Sequence, residues 1–223
     1  MRCSLTALGL FGLASAAPAA CPSNHNLSTS KGLKLRVKLQ DPAKDLPASP
    51  VGGEYVTSIH DGAGTNLVGF KRDAGRVFYV NGTGSAADDD DGRFWSTVSD
   101  GGTPAAPYGL ALHALDDDPD VQVARLDVGL GDRGIYVPAE DAGGRGPQLL
   151  PTGWLACDEP LAYYGGKHFS VLRRSASGRA PPKECVLVVL LPECAELDDL
   201  PDGALASHEF AQEVSCYKDA SKV

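Results

Sequence analysis

No stretch of this chain is apolar for long enough to cross a membrane as a helix. The longest candidate, Leu5–Leu13, falls far short of the about 20 residues a span requires. Basic clusters are equally scarce: 20 Lys and Arg stand against 29 Asp and Glu. The single basic stretch, Lys31–Lys38, alternates, so Lys34, Arg36 and Lys38 share one face of a strand and Leu33, Leu35, Val37 and Leu39 the other. Phosphate backbones and anionic membrane surfaces both demand clustered Lys and Arg, so neither nucleic acid nor membrane is an expected partner. Helix-length segments free of breakers are missing as well, because 26 Gly and 16 Pro punctuate the chain at short intervals.

Signatures of catalysis and metal binding are also lacking. The five histidines, His25, His60, His113, His168 and His208, form no HExxH and no close pair, and only His113 with His168 could meet across neighbouring strands. No Gly-x-Ser-x-Gly elbow occurs; Ser85 has Thr83 and Ala87 where glycines are needed. The acidic runs Asp88–Asp91 and Asp116–Asp120 suggest calcium, but an EF-hand register with Gly92 at its sixth position puts Ala87 and Val98 where ligands belong. Solvated turns explain both runs. No catalytic residue, metal or cofactor is assigned.

What is present begins with an export signal. Met1-Arg2, the apolar Leu5–Leu13 and a small-residue site predict cleavage after Ala16 or Ala19, so residues 1–19 read as a signal peptide and the protein as extracellular. Loss of Arg2 leaves 19 basic against 29 acidic side chains, a net charge of −10. Residues 20–32 read as a flexible arm carrying the sequon Asn26-Leu-Ser28, and a second sequon, Asn81-Gly-Thr83, falls in a turn, so the protein is expected to be a glycoprotein.

The organising stretch is Glu184-Cys-Val-Leu-Val-Val-Leu-Leu-Pro-Glu-Cys194. Six apolar residues, three of them Val, predict a strand buried on both faces. Shorter segments at 33–39, 54–60, 66–71, 76–80, 93–98, 110–114, 121–127, 134–138, 153–157, 161–164 and 168–173 bring the count to about twelve strands. The fold class is therefore all-β: one compact antiparallel barrel or sandwich over 33–193. The count divides into three blocks of four, at about 33–80, 93–138 and 147–191, the arithmetic of a β-trefoil, although no motif repeats across the blocks. A C-terminal extension, 194–223, is expected to hold a short helix at 204–214, where Ala206, Phe210, Val214 and Tyr217 fall on one helical face. Trp95, Trp154, Tyr163 and Tyr164 are core anchors or a sugar-stacking platform, with the core as the default.

The stretches Tyr55–Gly64, Phe78–Thr83, Gly153-Trp-Leu-Ala-Cys-Asp158 and Glu184–Glu193 resemble, in order and spacing, a family of small secreted fungal proteins known only as an uncharacterised domain. The resemblance implies a secreted all-β domain, a disulfide between Cys157 and Cys185, and no assigned activity. The chain departs from the family pattern at Glu159-Pro160, where aromatics are usual, in the Asp-rich insert, and from Cys194 onward.

After cleavage five cysteines remain, Cys21, Cys157, Cys185, Cys194 and Cys216, so one is left over. Loop entropy does not choose among pairings, since closing 157–185 or 194–216 is worth about 3.6 or about 3.4 kcal/mol. Cys185 opens the central strand and Cys157 closes the Trp154 strand, so neighbouring strands could join them, as the resemblance also implies. Cys194–Cys216 would then clamp the extension, leaving Cys21 as the odd residue. The expected role is binding of an extracellular partner or glycan, with a secreted hydrolase as the competing class.

Overall fold

The computed structural model describes residues 26–73, 75–82, 95–115, 118–139 and 146–223. The leader, Cys21, His25, Ser85 and Asp88–Asp91 lie outside them. Among the described residues thirteen strands form one sheet, with no α-helix.

The strands are β1 (Leu27–Ser30), β2 (Gly32–Leu39), β3 (Tyr55–Gly62), β4 (Thr65–Lys71), β5 (Phe78–Gly82), β6 (Trp95–Gly101), β7 (Ala106–Ala114), β8 (Val121–Val128), β9 (Trp154–Leu161), β10 (Lys167–Ser175), β11 (Cys185–Ala195), β12 (Ala211–Gln212) and β13 (Val214–Tyr217). β2 shows the clearest link from sequence to packing. Leu33, Leu35 and Val37 are buried while Lys38 is exposed and Lys34 and Arg36 lie half out.

A ring closes around the main core. β11 pairs with β2, β2 with β5, and β5 with β6. Bridges Ser96–Ile135 and Tyr136–Leu150, then the Leu149 N–H donating to Leu190 O at 2.9 Å, complete the circuit. Closure leaves few unpaired backbone edges, the hazard of open sheets. Three hairpins, β3–β4, β7–β8 and β9–β10, cap the ring. Their second strands meet in a triangle: Leu67 opposite Arg125, Val123 opposite Arg173, and Val171 opposite Gly69. Leu33, Leu35, Phe78, Leu110, Leu126, Trp154 and Leu190 fill the core.

The apolar run in β11 is covered on both sides. Val188 and Leu190 face the main core, Leu187 packs into a second cluster, and Val189 and Leu191 meet Leu27, Tyr217 and Ala220 in another.

Four expectations need correction. Residues 27–30, expected in a loose arm, form β1 and pair with β13 in register from Leu27–Tyr217 to Ser30–Val214. Residues 204–214 hold no helix. Gly203 turns at φ 77°, the Leu205 and Ala206 N–H groups both donate to Ala105 O, and Ala211–Gln212 joins β5. Helices this short are marginal in water, and here strand partners satisfy the backbone instead. Residues 162–164 form a 3₁₀ turn rather than a strand, and 134–138 make only isolated bridges.

Both disulfides are closed. Cys157–Cys185 links residues directly opposite on β9 and β11, and Cys194–Cys216 ties β11 to β13.

Candidate functional site

The β9–β10 hairpin does not turn tightly. After Leu161 the chain makes the 3₁₀ turn Ala162–Tyr164, and Gly165 and Gly166 follow at φ 67° and 80°, a region that L side chains avoid. The Gly165 and Gly166 N–H groups return to Ala162 O and Leu161 O at 3.0 and 2.9 Å. This local geometry sends two consecutive tyrosines in different directions. Tyr164 packs inward with Phe169, and Tyr163 stays 59% exposed.

The exposed ring is held on two sides. His60 meets it edge-on at 5.6 Å and 88°, and Tyr164 lies 5.2 Å away at 68°. Tyr164 stacks 4.8 Å from Phe169, and its hydroxyl donates to His60 O at 2.7 Å. Each edge-to-face pair is worth about 0.5–1.5 kcal/mol beyond area burial. Underneath, Tyr164 and Phe169 rest on Leu155, Leu161, Val171 and the Cys157–Cys185 bridge. The platform is thus anchored in a small core with a covalent tie.

His60 is placed by a second network. The β3–β4 register shifts between His60 and Gly62, a bulge of the kind that re-aims a side chain. Both oxygens of Asp61 accept from Arg125 Nη2 at 2.8 Å, and Thr65 Oγ1 donates to Asp61 at 3.1 Å. On the neighbouring hairpin His168 Nδ1 lies 3.2 Å from Asp158 Oδ2, and Arg173 pairs with Glu159 through both carboxylate oxygens. Asp158, Glu159 and Arg173 line a cavity of about 500 Å³ that reaches the Cys157–Cys185 bridge. The exposed Tyr163 ring can stack a flat apolar face.

The four aromatics singled out by sequence divide. Trp95 is 7% and Trp154 1% exposed, and Trp154 Nε1 donates to Leu149 O, so both are core. Tyr163 and Tyr164 form the surface. His113 and His168 do not meet; they pair separately with Asp127 and Asp158. Asp118 and Asp120 are held by Arg179, while Asp116 and Asp117 lie outside the described residues. Among the described residues no group of three His, Cys, Asp or Glu side chains could hold a metal. His208 Nε2 lies 2.7 Å from Asp100 Oδ2, while the nearby Ser99 hydroxyl donates to Val77 O and accepts from Arg76.

The sequons occupy unequal places. Asn81 is 8% exposed within β5, flanked by β6 and β12, rather than in the expected turn. Asn26 clamps the C-terminal turn, donating to Asp219 O at 2.8 Å and accepting from Asp219 N at 3.1 Å, and it stays half-exposed. Sequence reasoning missed His60 and Phe169 in the aromatic surface. His60 entered the sequence reading only as one of five histidines weighed for a metal, and nothing in the sequence linked it to Tyr163.

Among known proteins, the chain is similar to the antigenic protein SchS34 of Stachybotrys chartarum. The two are 41% identical over 206 residues, covering 87% of this chain and 89% of that one. No solved structure matches the chain. A family model, Domain of unknown function (DUF7907), matches residues 30–194, and with three quarters of its length inside that match the chain belongs to this family.

Proposed function

We propose that this is an exported binding protein that holds an extracellular glycan against Tyr163 and performs no catalysis. The observation that carries the reading is the Tyr163 ring, 59% exposed yet fixed by His60 and Tyr164. A ring held in place with its surface open to solvent is the feature a stacking ligand uses. A pyranose presents C–H groups on one face and hydroxyls around its rim. The ring's negative face attracts those C–H groups. Preorganisation lowers the entropy lost on binding.

Export fits the leader-like residues 1–19 and the two disulfides, which persist in oxidising compartments. It also fits a relative named as an antigenic protein. Among the described residues no helix is long and apolar enough to cross a membrane. The acidic charge opposes nucleic acids and anionic membranes. The ring of six segments and the three-hairpin cap support reading the architecture as a β-trefoil. Of the two sequons, Asn26 is the one we assign a glycan. Screening the mature protein on an array of fungal and plant polysaccharide fragments tests the reading. Saturable binding that Tyr163→Ala removes is expected; an array without a hit overturns it.

A further inference from the structure

A cavity of about 510 Å³ opens over the face of β2 and β11 that turns away from the main core, and it shares no residue with the aromatic surface. Lys38 stands directly opposite Val189 in the β2–β11 register, and strand alternation brings Leu191 to the same face. Leu191 is buried and Leu39 and Val189 are partly so, which makes these three the floor. Lys38, Gln40 and Thr152 are exposed and Gln148 is half-buried, which makes these four the rim.

The rim is fixed through its backbone and open at its side chains. The Gln40 N–H donates to Leu187 O at 3.0 Å, the Leu149 N–H beside Gln148 donates to Leu190 O at 2.9 Å, and Thr152 O accepts from Arg174 Nε at 3.1 Å. Among the described residues the side chains of Lys38, Gln40, Gln148 and Thr152 have no hydrogen-bond or ion-pair partner. No lining residue has a carboxylate side chain. A concave apolar floor with a few convergent polar groups is the usual form of a small-molecule site, and the volume falls within the about 300–1,000 Å³ of such sites.

We propose that this cavity binds an N-acetylated amino sugar, its acetamido methyl on Leu39, Val189 and Leu191 and its amide paired with Gln40 and Gln148. The Tyr217 ring at the cavity is only 7% exposed, so the floor offers no open aromatic face and suits a methyl group rather than a stacked ring. A primary amide supplies two donors and an acceptor. One glutamine can therefore accept from the acetamido N–H while the other donates to its carbonyl, and Thr152 and Lys38 are left for sugar hydroxyls. A plain hexose brings no methyl to the floor, and a hydrocarbon chain would desolvate the two amides without pairing them. The inference goes beyond the Tyr163 reading and does not depend on it.

The test titrates the isotope-labelled folded chain with N,N′-diacetylchitobiose and follows the side-chain amide resonances of Gln40 and Gln148 by NMR. Cellobiose, which has hydroxyls in place of the acetamido groups, is the comparison probe. A saturable shift, half-complete at about 1 mM, is expected, with cellobiose weaker by about tenfold or more. Gln148→Ala should weaken binding by about fivefold or more, as loss of a neutral hydrogen bond does. Thr152→Trp fills the cavity from an exposed position and should remove the shift; should it fail to fold, Gln148→Ala decides. Tyr163→Ala should keep the shift, which separates this site from the aromatic platform. A shift that is absent, unsaturable, equal for cellobiose, lost in folded Tyr163→Ala, unchanged in Gln148→Ala, or retained in folded Thr152→Trp overturns the proposal.

Discussion

Replacing Cys194 and Cys216 together by alanine tests what holds the C-terminal extension to the ring. The bridge closes a separation of 22 residues, for which the chain-entropy formula gives about 3.4 kcal/mol. Besides the disulfide, β13 and β11 pair at one bridge, Glu193 opposite Tyr217, with Val189 and Leu191 packed against Tyr217 and Ala220. Cys157–Cys185 differs, because β9 and β11 stay paired at Val186–Ala156 and Leu187–Leu155 without it. Alanine is the better substitution, because Cys216 is fully buried in the apolar core, where a serine hydroxyl would be desolvated. For a domain of this size about 3.4 kcal/mol lowers Tm by about 7–14 °C. Calorimetry reads that shift, and hydrogen exchange should place the largest loss of protection in β13 and its partner β1. A fall below about 2 °C, or exchange that rises evenly over the sheet, refutes the reasoning.

Alkaline titration followed by tyrosinate absorbance should show Tyr55 ionising late. Burial, then its hydrogen bond to Glu193 at 2.7 Å, push it up to about 12 from 10.0. Because the folded value is the higher one, its contribution to stability is whole below pH 10 and is lost as pH rises through about 12. Tyr55→Phe should remove that late step; a step unchanged in the variant contradicts the assignment. Deglycosylation in heavy-oxygen water followed by peptide mapping should label Asn26 and leave Asn81 unlabelled, and label at Asn81 would contradict its burial. Gly109→Ala should destabilise by the upper part of about 1–3 kcal/mol. Its new Cβ would lie 2.0 Å from Gly131 N and 2.3 Å from Leu130 C, backbone atoms that cannot rotate aside. A Gly109→Ala melt within about 1 °C of the parent shows that the close approach is relieved elsewhere.

The sequence disclosed strands where packing is written into short-range pattern. The alternation at 33–39 and the Val-rich run at 186–191 both reflect a neighbouring face that must be apolar. It disclosed less where pairing is remote. β1 is four polar and apolar residues, Leu-Ser-Thr-Ser, whose strand form depends on β13, nearly the whole chain away. The extension carried a helical spacing at Ala206, Phe210, Val214 and Tyr217, yet Val214 and Cys216 are buried as a strand buries alternate residues. Local propensity lost to partners that the pattern does not encode. The candidate surface was half legible. Tyr163 and Tyr164 stood out as neighbours, whereas His60 reaches them only through the meeting of two hairpins.

The central claim is that Tyr163 is a ligand platform rather than an incidental exposed ring. Isothermal titration of the glycan that binds best on the array, against the parent, Tyr163→Ala and Tyr163→Phe, tests it most directly. Tyr163→Phe should melt within about 2 °C of the parent, whereas Tyr163→Ala loses two edge-to-face contacts and should melt several degrees lower while still folded. The account predicts that alanine weakens binding by about tenfold or more, in keeping with about 1–3 kcal/mol for a lost stacking ring, while phenylalanine keeps most of the affinity. Equal affinity for the parent and Tyr163→Ala would contradict it.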